Sequence, residues 1–245
     1  MLDGYNATKI NQQIQIAMNN YEVPDGITVK YTGEQEEQAK SMEFLLGALG
    51  IAISLIFLII VAQFNSVTTP FIIMASVVLS TIGVFLGLVA FNMDFVVIMT
   101  GIGIISLAGV VVNNAIVLID YTNLVRERKR DDLGIKEGEF LSLEELIGSI
   151  VDSGKTRLRP VLLTAITTVL GLIPLAIGMN INFGSLLSSF DPQFYVGGDN
   201  AAFWGPMAWT VIFGLTFATF LTLVIVPVMY LMADKFNMKI RQLRA

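Results

Sequence analysis

Asn113 and Asn114 sit inside a stretch, Phe95 to Ile119, that contains no Asp, Glu, Lys or Arg. An amide in so apolar a run must find a hydrogen-bond partner or lose several kcal/mol. Two readings stand level on the residues alone. The amides tie neighbouring helices together, or they form part of a polar relay on an ion pathway. Asp120 follows Asn113 by seven residues, two helical turns along nearly the same face. Read simply, it is a carboxylate at the membrane edge, near Arg126. Arg157 and Thr164 repeat the seven-residue spacing. Arg157 stands one turn short of an apolar run, placed either to snorkel or to pair with a buried carboxylate. Thr164, with Thr167 and Thr168, adds hydroxyls to that segment, and helix packing accounts for them as well as proton handling does.

Other chemistry is scarce. The chain has no Cys and no His, which removes thiolate nucleophiles, disulfides, the near-neutral proton carrier and the commonest zinc ligands. Gly154-Lys155-Thr156 imitates a phosphate loop, but that motif needs four residues between its glycines. Gly148 and Gly154 are separated by five. Gly101-Ile102-Gly103 lies inside an apolar span, where a dinucleotide fingerprint has no place. No cofactor, metal site or enzymatic activity is therefore expected. The net charge of -5 gives no sign of nucleic-acid binding.

The elements that position these residues are membrane spans. Hydrophobic residues make up 54% and charged residues 14% of the 245, and the charges are unevenly placed. Phe44 to Met93, Phe95 to Ile119, Pro160 to Phe190 and Asn200 to Ala233 carry none, whereas about 18 apolar residues suffice to cross a bilayer. Turn signals divide these runs into five helices: Phe44–Ala62, a second from Pro70 to near Phe91, Phe95–Tyr121, a fourth from Pro160 to near Met179, and Pro206–Met232. Small residues at helical spacing (Gly83 and Gly87; Gly101 and Ala108; Gly214, Ala218 and Thr222) predict close helix packing.

Five spans put the termini on opposite sides. Of the 15 Lys and Arg, eight fall between Thr122 and Arg159 and four follow Asp234. The positive-inside rule then places the Arg126–Arg130 segment and the C-terminus in the cytoplasm, and the first 41 residues outside. Those residues predict one helix over 6–21 with Ile10, Ile14, Met18 and Tyr21 on one face, then a strand from Ile27 to Thr32. A lone strand leaves both edges open, so the pair reads as the end of a larger α+β domain. Ser142-Leu143-Glu144-Glu145 reads as a capping box opening an amphipathic helix on the membrane surface. The expected divisions are 1–41, an extracytoplasmic remnant; 42–121, three spans; 122–159, a cytoplasmic loop; 160–233, two spans with an outer loop at 180–205; and 234–245, a tail.

Four segments in order, together with Tyr31-Thr32-Gly33-Glu34 ahead of the first span, carry a likeness. They are Gly109-Val-Val-Val-Asn-Asn-Ala-Ile-Val-Leu-Ile-Asp-Tyr121, Thr156-Arg-Leu-Arg-Pro-Val-Leu-Leu-Thr164, Gly171-Leu-Ile-Pro-Leu-Ala176 and Val226-Pro-Val-Met-Tyr230. The chain resembles the C-terminal part of a resistance–nodulation–division (RND) efflux permease of the multidrug or hydrophobe exporter branch. The 181–205 loop is the least family-like part.

The resemblance implies an all-α transmembrane bundle of five spans, numbers eight to twelve of twelve, preceded by a small α+β remnant of a periplasmic porter domain. It implies a bacterial inner-membrane location, a homotrimer, and export of drugs or small amphiphiles in exchange for protons. The partners it implies are the N-terminal portion of the permease, membrane lipid, a periplasmic adaptor and an outer-membrane channel. The family's proton relay pairs two aspartates on the fourth span with groups on the tenth and eleventh. Those positions fall here at Asn113 (with Asn114, and Asp120 on the same face), Arg157 and Thr164. Well-known members carry Lys where this chain has Asn113, which shifts charge compensation towards Arg157. The competing expectation is a truncated, non-transporting membrane fragment or an assembly partner of a permease. The exported substrate is not legible, because specificity lies in porter loops outside these residues.

Overall fold

The computed structural model describes residues 14, 16–18, 34–66, 68–135 and 141–244. It divides into two compact units, residues 1–40 and 41–245. In the first, Ile14 and Ile16–Met18 are helical. The rest of the helix expected over 6–21, and the strand expected at Ile27–Thr32, lie outside the described residues. An ion pair, Lys40 to Glu36 at 2.7 Å, joins successive turns of the helix that leads out of this unit.

Five long helices follow: α1 (Glu34–Phe64), α2 (Thr68–Ala90), α3 (Val97–Asp132), α4 (Leu143–Ile177) and α6 (Asp199–Arg244). Each is long and apolar enough to cross a membrane. Between α4 and α6 lie β1 (Met179–Asn180), α5 (Phe183–Ser189) and β2 (Tyr195–Val196). The turn signals act as read. Asn92 adopts a left-handed φ of 50° after α2, and Gly134, at φ 65°, follows α3. Asn and Gly tolerate that region at least cost. At Ser142 the capping box forms as expected: its hydroxyl accepts the Glu145 N–H, and Glu145 accepts the Ser142 N–H in return.

Several boundaries differ from the sequence reading: α1 opens at Glu34 rather than Phe44, and α6 runs on to Arg244 rather than ending near Met232. The amphipathic helix after Ser142 and the span from Pro160 are one uninterrupted helix, α4, with Pro160 and Pro174 inside it. Likewise α6 opens at Asp199 and passes through Pro206. In both cases proline was read as a first helical residue, whereas membrane helices accept interior proline because neighbouring groups re-satisfy the freed carbonyl. Helix α3 runs past Tyr121 to Asp132, since Arg126–Arg130 are good helix formers and nothing breaks the helix before Gly134.

Helix α6 packs against α2, α3 and α4, and Ile73, Val84, Leu107 and Leu215 are fully buried in the shared core. The small residues explain the close approach. A β-carbon at Gly83 would overlap Phe217, one at Gly87 would overlap Phe213, and one at Gly214 would overlap Leu107. The packing predicted for Gly83, Gly87 and Gly214 is thus present. By contrast only 11% of the most apolar window of α1 is buried, against 50% in α3.

Candidate functional site

Polar groups on the spans collect in two places, both reached from α3. The first is the seam between α3 and α4. Arg157 lies with its guanidinium carbon 4.3 Å from the centroid of the Tyr121 ring. A cation over an aromatic face is attracted by the ring quadrupole, the more so when partly desolvated. The Arg157 Nε is buried with no hydrogen-bond partner among the described residues. Beside this pair, the Thr122 and Ser153 hydroxyls share a hydrogen bond of 2.8 Å across the seam. Each also lies within hydrogen-bond distance of a carbonyl of its own helix.

The sequence-predicted residues distribute around this seam. Asn114 is buried, 8% exposed, while Asn113 and Asp120 are exposed. No hydrogen bond joins either amide to another described residue. The Thr164 hydroxyl is spent locally, donating to the Val161 carbonyl at 2.9 Å. Arg157 and the Asp120–Tyr121 stretch are therefore brought together, through the ring of Tyr121. Asn113, Asn114 and Thr164 are joined neither to them nor to one another. The expected closeness of Asp120 to Arg126 is corrected: Arg126 pairs with Asp234 at 3.0 Å. The arrangement of α6 beside α3 puts that acid within reach.

The second place is this Arg126–Asp234 pair, where α3 meets α6. Both side chains are largely buried, 14% and 16% exposed. The Tyr230 hydroxyl accepts from Arg126 and donates to the Asn123 amide oxygen, and the Arg126 guanidinium also lies 5.3 Å from the Tyr230 ring centroid. Beside them opens a cavity of about 250 Å³ lined also by Ser66, Thr68 and Thr69. Sequence reasoning missed Asn123, Tyr230 and Asp234 as partners of Arg126. The available signal was Asp234 itself, the first charge after a long uncharged run and one turn beyond Tyr230. Among the described residues no group of three or more carboxylate, His or Cys side chains is placed to hold a metal.

Five helices long and apolar enough to cross a membrane, with cations and hydroxyls sequestered between them, define a polytopic membrane protein. The chain belongs to the AcrB/AcrD/AcrF family, the RND efflux permeases, whose family model matches residues 1–234. It is 34% identical over 234 residues to the swarming motility protein SwrC of Bacillus subtilis (strain 168), covering 96% of this chain and 19% of that protein. It is 27% identical over 213 residues to the cobalt-zinc-cadmium resistance protein CzcA of Cupriavidus metallidurans, covering 87% and 17%. A crystal structure of a heavy metal efflux pump superposes with a TM-score of 0.68 at 27% identity, over 96% of this chain and 20% of the other. The chain thus spans about a fifth of the length of the relatives it matches.

Proposed function

We propose that the chain is the C-terminal segment of a proton-driven exporter of drugs or other small amphiphiles, seated in the bacterial inner membrane. On this reading its N-terminus is periplasmic and its C-terminus cytoplasmic. The complete permease is a homotrimer working with a periplasmic adaptor and an outer-membrane channel. The proton relay draws on Asn113, Asn114, Asp120, Arg157 and Thr164.

The observation that carries this reading is the state of Arg157. It is a cation always charged, half-buried on a spanning helix and held by an aromatic face, with no carboxylate among the described residues within ion-pair distance. A half-buried charge at the start of a span calls for a counter-charge. The resemblance supplies one in the paired aspartates of a span outside these residues. When those carboxylates are ionised they attract Arg157, and when they take up protons the attraction lapses. Protonation is thereby coupled to the position of α4. Asn113, standing where well-known members have Lys, adds a dipole without a charge, and Thr164 contributes a hydroxyl on the same helix.

In the complete permease, Arg157→Ala should abolish proton-coupled export of a fluorescent amphiphile from intact cells at unchanged membrane abundance. Arg157→Lys, which restores the charge without the planar fork, should recover part of it. Export retained by Arg157→Ala would sink the role given to this residue.

A further inference from the structure

Residues 178–198 join the ends of two spans and carry no Lys or Arg. Their base is stapled shut. The Gly197 N–H donates to the carbonyls of Ile177 and Gly178 at 3.1 and 2.9 Å, and the Asn180 amide donates to the carbonyls of Gly178 and Gly197 at 2.8 and 2.9 Å. Met179–Asn180 pairs antiparallel with Tyr195–Val196. At Gly178, with φ 66°, a β-carbon would overlap Ala201 in the first turn of α6. The base of the hairpin is therefore clamped onto the ends of α4 and α6.

On the hairpin, α5 is two-faced. Phe183 and Leu187, at i and i+4, share one face of the helix and are 67% and 83% exposed, and Phe190, the left-handed cap (φ 53°) that closes α5, is 90% exposed. Ser185, Ser188 and Ser189 occupy the opposite arc. Phe194 and Tyr195, on the returning limb, are more than half exposed. A water-facing turn has no use for such a surface. At the end of two spans, an apolar face of Phe and Leu suits the headgroup–acyl boundary, where interfacial helices bury such residues.

We propose that the 178–198 hairpin is a membrane-interface anchor, with Phe183 and Leu187 of α5 and the capping Phe190 immersed among the acyl chains of the leaflet at that end of the spans. Because it has no cationic residue, it is held by apolar burial alone and takes zwitterionic lipid as readily as anionic lipid, unlike a basic amphipathic helix. The inference is independent of the relay assigned to Arg157.

The absence of cysteine makes the test direct. The full chain bearing Phe190→Cys, Leu187→Cys or Ser188→Cys is labelled with bimane and placed in phosphatidylcholine vesicles. Lipid nitroxide at the 5-position should quench the labels at 190 and 187 at least twofold more than the label at 188, while aqueous iodide shows the reverse order. Adding phosphatidylglycerol should leave the order unchanged. Iodide quenching at 190 equal to that at 188 would overturn the proposal by showing a hairpin in water. Quenching by neither agent at 190 would overturn it by showing a face covered by protein. Dependence on anionic lipid would overturn its apolar basis.

Discussion

Arg126 shows how far a single residue can be read from sequence and where that reading stops. Its position in a basic run after an apolar span marks it as an interfacial anchor, but its partners Asp234 and Tyr230 lie on α6. Only the register of two packed helices brings them together, and no local spacing encodes that register. Arg157 is different: its relation to an apolar run was visible, and its aromatic partner, Tyr121, was not. Breaking a buried ion pair by removing one partner strands the other charge, whereas removing both is far milder. Arg126→Met and Asp234→Leu should each destabilise the folded chain by about 3 kcal/mol, the low end for buried pairs because both keep some exposure. The double variant should lose clearly less than the sum. Unfolding by denaturing detergent in mixed micelles, run as a double-mutant cycle, measures the coupling. Additive losses would show that the pair is solvated and contributes no specific link between α3 and α6.

Among the elements, those with long uncharged runs were legible because period and length leave no soluble alternative. Boundaries were less so, since Pro160 and Pro206 signal a helix start in water and sit inside a helix here. The hairpin was not legible at all: strands of two residues have no period to detect. The glycine seams were legible, and they make a contrast that can be measured. At Gly214 a side chain would enter space held by Leu107 of α3 and Val84 of α2, whereas Gly50 of α1 has nothing within 4 Å. Overpacking a tight core costs about 1–3 kcal/mol or more, while Gly to Ala at an open helical site gains up to about 1 kcal/mol. Gly214→Leu should therefore lower the unfolding midpoint sharply and broaden the size-exclusion peak. Gly50→Ala should leave both unchanged or slightly improved. Equal behaviour of the two variants would mean that α2, α3 and α6 do not meet as tightly as Gly214 requires.

For the molecule as a whole, the five spans and the asymmetric cations carry the proposed orientation in the bilayer. The uneven burial of the helices shows which faces look outward. The packed helices α2, α3 and α6 have about half of their apolar windows covered, and α1 and α4 far less, 11% and 17%. With the chain a fifth of the length of its relatives, those outer faces are open to lipid or to the rest of a permease, and neither side needs charge there. Orientation then rests on the loops. Asp94 lies in the link between α2 and α3, which carries no Lys or Arg, and Asp132 ends α3 just beyond the basic run. Both are exposed. On the proposed orientation, with the positive residues on the cytoplasmic side, these two positions lie on opposite faces of the membrane. In the cysteine-free chain, Asp94→Cys should react with a membrane-impermeant maleimide in intact spheroplasts, and Asp132→Cys only after lysis. Replacing Arg128, Lys129 and Arg130 with Gln should weaken that asymmetry, giving partial labelling at Asp132→Cys before lysis. The opposite labelling order in the unmodified background would invert the proposed orientation of both termini.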